Sequence, residues 1–140
     1  MELNGNGRLL SLEGSPSLVA RSNRTVEDLG LGGRVSIVEG PFNQTLESAL
    51  RSIEPVQYAF IDGHHLEVAT VDYMETILEF VDRDAVLVFD DINWSDGMRR
   101  AWARVRQDSR FSMFVDFGNV GIGIVSAADN GRRTIEVPYG

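Results

Sequence analysis

The chain has 140 residues, 43% of them hydrophobic and 24% charged, the make-up of a single globular domain with a sizeable core. It has no cysteine and all 13 of its basic residues are arginine, which excludes disulfides, thiolate metal sites, cysteine nucleophiles and lysine Schiff bases. A formal net charge of −8, from 21 acidic against 13 basic residues, disfavours nucleic acid and anionic membranes as partners and favours a small molecule or a protein.

Met1-Glu2-Leu3-Asn4-Gly5-Asn6-Gly7 lacks the basic-then-apolar layout of a signal peptide, and no apolar run has membrane-spanning length. The chain therefore reads as cytoplasmic, with Gly5-Asn6-Gly7 as a turn before the first strand. That strand is Arg8-Leu9-Leu10-Ser11-Leu12-Glu13, closed by Gly14. Ser15-Pro16 then suits a helix start, and a helix is predicted from about Pro16 to Leu29, ended by the glycines at 30, 32 and 33. Arg34-Val35-Ser36-Ile37-Val38-Glu39-Gly40 is a second, β-branched strand, and Asn43 to Leu50 a second helix.

Val56 to Ile61 forms the third strand and closes at Asp62-Gly63-His64-His65. Beyond it Val68, Val71, Met74, Ile77, Leu78 and Val81 recur at helical spacing. Ala85-Val86-Leu87-Val88-Phe89 is continuously apolar, as a strand covered on both faces would be, and ends in Asp90-Asp91. Trp94 to Met98 leads into a helix through Ala101, Trp102 and Val105. Phe111 to Phe117 and Val120 to Ser126 read as a hairpin about Gly118-Asn119, and Thr134 to Val137 as a further edge or exchanged strand.

Strands alternating with helices, then a hairpin, predict an α/β fold whose first four strands are parallel. Ligands of such sheets lie beyond the carboxyl ends of the strands, which here carry Glu13, Glu39, Asp62 and Asp90-Asp91. Each acid alone has a plain alternative as a solvated strand end or a helix cap; four together favour a site. Glu13 is placed to accept hydrogen bonds from a ribose diol. Phe42 offers a ring for a planar base, or equally a hydrophobic staple for its own helix. Asp62, Asp90 and Asp91 are oxygen donors of the kind a hard divalent cation prefers. Asp91 and Asn93 are alternatively caps of the next helix. With lysine and cysteine absent, His65 is the natural general base, and the tryptophans read as core or cleft wall.

The stretches Arg8 to Glu13, Arg34 to Phe42, Ala59 to His65 and Val88 to Trp94 together resemble the class I S-adenosylmethionine-dependent methyltransferases, in particular the small-molecule O-methyltransferase branch with its sugar-modifying members. The resemblance implies a Rossmann-like sheet with helices on both faces and a C-terminal antiparallel hairpin, in one domain over residues 1–140. It implies that Glu13 binds the ribose of S-adenosylmethionine, that Gly40, Pro41 and Phe42 border its adenine, and that Asp62 lines the cofactor site. Asp62, Asp90 and Asp91 resemble the family's ligands for Mg2+ or another divalent cation, and His65 its base toward a hydroxyl of a small-molecule acceptor. Pro41 stands where relatives often have an acid. The family's first strand and glycine-rich turn, which lie upstream of the strand ending at Glu13 and between the Glu13 and Asp62 strands in the sheet, have no counterpart. Three explanations are open: the chain is a piece or misassigned start of a longer enzyme, the Glu13 and Asp62 strands pair directly, or a second copy completes the sheet; since a buried row of unpaired backbone groups is untenable, direct pairing or dimerisation is expected. A truncated, non-catalytic module for dimerisation or protein binding is the alternative function.

Overall fold

Leu9–Glu13 is strand β1, and the helix after it, α1, spans Pro16–Asp28 with proline in its first turn. These come from a computed structural model that describes residues 7–128 and 131–138; the turn expected at Gly5-Asn6-Gly7 lies largely outside them. The remaining elements are β2 (Val35–Glu39), α2 (Phe42–Ile53), β3 (Tyr58–Ile61), α3 (Glu67–Leu78), β4 (Ala85–Phe89), α4 (Asp96–Val105), β5 (Phe111–Asp116), β6 (Gly121–Val125) and β7 (Arg133–Glu136). The predicted mixed α/β class and the order of elements hold, and the tail forms the extra edge strand β7. The chain divides into two compact units, Met1–Glu54 and Pro55–Gly140.

In the first unit β1 and β2 pair in parallel, from Leu9 opposite Val35 to Glu13 opposite Glu39. Helix α1 packs chiefly on β2 and α2 on β1, burying Val19, Ala49 and Leu50.

The second unit is a five-stranded sheet in the order β3-β4-β6-β5-β7. β3 and β4 are parallel, with Ile61 opposite Phe89. β6 runs antiparallel to both β4 and β5, which makes the predicted hairpin, and β7 lies parallel to β5. The described strands thus form two sheets, in which β1 pairs with β2 and β3 with β4.

The core of the second unit lies on one face of its sheet. Phe89, Trp102 and Phe114 stack in sequence, with ring centroids 5.6 and 5.8 Å apart, and Phe111 joins at 5.2 Å from Phe114. Trp102 brings α4 onto this face, and α3 packs against α4, where the buried Thr70 hydroxyl meets the Met98 sulfur at 3.4 Å. The close approach dictates glycine in β6: a Cβ on Gly121 would lie 2.6 Å from the Trp102 ring. β4 is covered fully on this face only. Its Ala85, Leu87 and Phe89 are buried, whereas Val86 and Val88 are half-buried. They stand beside Tyr58 and Phe60 of β3, which are 59% and 53% exposed.

Candidate functional site

Each unit gathers part of the predicted residue set at the carboxyl ends of its parallel strands. In the first, the β1–β2 ladder continues past the strands: the Gly40 N–H donates to the Glu13 carbonyl at 3.1 Å. The Glu13 carboxylate turns toward the start of α1, where its Oε1 accepts the Ser15 N–H at 2.8 Å. That bond fixes the carboxylate at the strand end, half-buried. Gly40 has a φ of 142°, and a Cβ there would come 2.8 Å from the Thr45 methyl, so the turn itself requires glycine. Pro41 is the N-cap of α2, its carbonyl accepting the Gln44 and Thr45 N–H groups, and Phe42 is the first helical residue, half-buried. Glu13, Gly40, Pro41 and Phe42 are therefore neighbours at one sheet edge.

In the second unit Asp62 and Asp90 follow the paired residues Ile61 and Phe89, and the Asp90 N–H still donates to the Ile61 carbonyl at 3.0 Å. Asp90 Oδ1 accepts the Asp91 N–H at 2.9 Å across a left-handed turn, with Asp91 at a φ of 53°. The loop that follows is pinned to the β5–β6 turn. The Ile92 N–H donates to the Asn119 carbonyl at 3.0 Å, and the Asn93 amide donates to the Gly118 carbonyl. Asn93 and Asp91 do not cap α4. Ser95 does, accepting the Met98 N–H at 3.2 Å.

His65 stands among these carboxylates. Its Nε2 lies 3.6 Å from Asp62 Oδ1 and its Nδ1 3.7 Å from Asp91 Oδ2. These are ion-pair distances, longer than a hydrogen bond. The Asp62 carboxyl titrates above its ordinary value of 3.8, first because burial disfavours the charge and then because Asp90 and Asp91 repel it, with His65 acting the other way. Trp94, 72% exposed, sets its ring 6.4 Å from that of His65, while Trp102 belongs to the core, as one of the two alternatives expected of the tryptophans.

The structure brings Asp62, His65, Asp90 and Asp91 together as expected. The donors are of the right chemistry for a hard cation, but their arrangement is not: among the described residues no group of three or more His, Cys, Asp or Glu side chains could hold a metal ion, and the His65 ring lies between two of the carboxylates. Sequence reasoning missed Tyr73, whose hydroxyl is 2.7 Å from Nδ1 of His64. The two are nine positions apart in the chain, and no local pattern joins them.

Residues 1–92 match the family model described as a methyltransferase domain. No curated protein matches the chain significantly. Among solved structures, an O-methyltransferase from Bacillus cereus in complex with SAH is similar at a TM-score of 0.71 and 21% identity, covering 89% of this chain and 64% of that one. TomG, an O-methyltransferase from Streptomyces achromogenes involved in tomaymycin synthesis and solved with SAM, is similar at 0.70 and 18%, covering 89% and 65%. An SAH-bound methyltransferase from Podospora anserina is similar at 0.68 and 19%, covering 86% and 61%. This chain thus spans less than two thirds of the length of each, and at such identities the likeness is one of fold. With the family model matching about two thirds of its length, the chain belongs to the methyltransferase-domain family.

Proposed function

We propose that the chain is the core of an S-adenosylmethionine-dependent O-methyltransferase acting on a hydroxyl of a small molecule. The observation that carries this reading is His65 held between Asp62 and Asp91 at the ends of two parallel strands, in a chain of a methyltransferase family. When bound, the cofactor would supply an electrophilic methyl group on a sulfonium, transferable to an acceptor oxygen as the C–S bond breaks and the thioether S-adenosylhomocysteine leaves.

Glu13 fits the nucleoside end of such a cofactor: its carboxylate is fixed at a strand end, where it can accept from a diol, and Phe42 beside it offers a ring. His65 does the proton chemistry. A carboxylate closing to hydrogen-bond distance on one ring nitrogen would hold it as the N–H donor and leave the other nitrogen as acceptor for the hydroxyl proton. Long apo distances of this kind tighten as the acceptor arrives. Because the three carboxylates suit a divalent cation in kind but not in arrangement, no step is assigned to one.

Calorimetric titration of S-adenosylmethionine tests the reading. Binding is expected for the parent chain and a loss of roughly tenfold or more for Glu13→Ala, equivalent to about 1.4 kcal/mol; absence of heat at millimolar cofactor removes the catalytic reading. A magnesium-dependent gain in affinity, lost in Asp90→Asn, would add the cation. His65→Ala is expected to lower turnover by about 10²–10⁴ with cofactor affinity retained, the range for a general base.

A second reading, self-association through an open sheet side, is favoured by β1 and β3 each pairing on one side only among the described strands. Light scattering decides it: a monomer at all concentrations ends that reading.

A further inference from the structure

His64 and His65 are consecutive, yet they serve different neighbours. The His65 ring stands between Asp62 and Asp91. The His64 ring turns instead to α3, where its Nδ1 is 2.7 Å from the Tyr73 hydroxyl and the two rings are tilted at 46° with centroids 6.0 Å apart. What separates them is the backbone. The His65 N–H donates to the Gly63 carbonyl two residues back, at 2.8 Å, which closes a γ-turn about His64. His64 has a φ of 62° and His65 one of 43°. A γ-turn with positive φ at its centre is the rare, strained form, and left-handed backbone is disfavoured for a non-glycine residue at each position. Two such residues in succession persist only if surrounding contacts hold them.

Within the turn from Asp62 to His65, Gly63 has no side chain and the Asp62 carboxylate faces the His65 ring at 3.6 Å. Tyr73 is different. It sits on α3 between Val71 and Met74, both buried in the core, so its hydroxyl is placed by the best-packed part of the helix. A bond from that point to His64 ties the strained turn to a rigid element and pulls the first histidine away from the carboxylates. The second then faces them.

We propose that Tyr73 is a positioning residue which, by binding His64, holds the γ-turn and so selects His65 rather than His64 as the histidine among the carboxylates. For its effect on turnover this rests on the reading of His65 as the base; for the placement of the ring it does not.

The test is an NMR comparison of the full chain with Tyr73→Phe, which keeps the ring and removes the hydroxyl. The readout is the cross-peak between the His65 and Trp94 rings, whose centroids are 6.4 Å apart, with the Met74 methyl signal reporting the core. Tyr73→Phe is expected to weaken the His65–Trp94 cross-peak several-fold while the Met74 signal stays in place. Adding His64→Gly, which accepts positive φ without cost, is expected to restore it. With an acceptor in hand, kcat of Tyr73→Phe is expected to fall about tenfold with KM for the cofactor unchanged. An unaltered cross-peak in folded Tyr73→Phe overturns the proposal, as does failure of His64→Gly to restore it. Should Tyr73→Phe not fold, His64→Ala removes the same bond from an exposed side chain, and a retained cross-peak there also overturns it. Because the cross-peak needs no turnover, its result stands apart from whether the chain methylates anything.

Discussion

Asp62 is placed where burial and two neighbouring carboxylates oppose its ionisation, and this has a sign in stability. Its folded pKa lies above 3.8. Below that value both folded and unfolded chains hold the proton. Between 3.8 and the raised value only the folded chain does, so the stability linked to this group declines as pH rises through that window and stays lower above it. Asp62→Asn should therefore raise the Tm at neutral pH by at most a few degrees, since the side chain is half exposed, and the gain should vanish below pH 3.8. Asp84 has the opposite sign. The Ser126 hydroxyl and the Ala127 N–H hold its carboxyl below 3.8, so its contribution is present above that pH and is lost on acidification. The residues of the carboxylate cluster were legible in the sequence because strand-end acids of adjacent parallel strands must be neighbours. The left-handed backbone at His64, His65 and Asp91 was not, since none is a glycine and the conformation is imposed by contacts distant in the chain.

At the level of elements, the hairpin and α4 form one packed unit whose fit hinges on what is missing from β6. Gly121→Ala drives a methyl into the Trp102 ring, whose edge is fixed by a 2.9 Å bond from its Nε1 to the Asp116 carboxylate. Destabilisation by about 1–3 kcal/mol is expected, as for overpacked cores, measured by urea unfolding. Ser95→Ala should cost about 1 kcal/mol through loss of the α4 cap. The hairpin was readable from two short apolar runs about Gly118-Asn119. The reason for glycine at alternate positions of β6 was not, because it depends on a ring delivered from another element. The same holds for the cap: Asp91, Asn93 and Ser95 are all capping types, and only the bonds of the preceding loop to the β5–β6 turn decide among them.

Over the whole molecule the core is uneven. Of the buried hydrophobic residues among those described, Val19, Ala49 and Leu50 belong to the first unit and the remaining seventeen to the second. An isolated two-stranded sheet with so little beneath it is marginal. Amide exchange in β1 and β2 is accordingly expected to be faster, by roughly tenfold or more, than in β4 and β6, whose opening approaches global unfolding. The α/β order of the chain was visible from hydrophobic spacing throughout. Its division was not, because spacing reports which residues are apolar and not whether neighbouring strands find each other. Both tryptophans, the exposed Trp94 beside His65 and the buried Trp102 in the ring cluster, lie in the second unit. The first unit is thus dark to tryptophan emission. A denaturation curve followed by fluorescence will register the second unit alone, with Trp94 reporting events at the carboxylates and Trp102 the core, while circular dichroism sums both, and the two curves should separate wherever the first unit opens early.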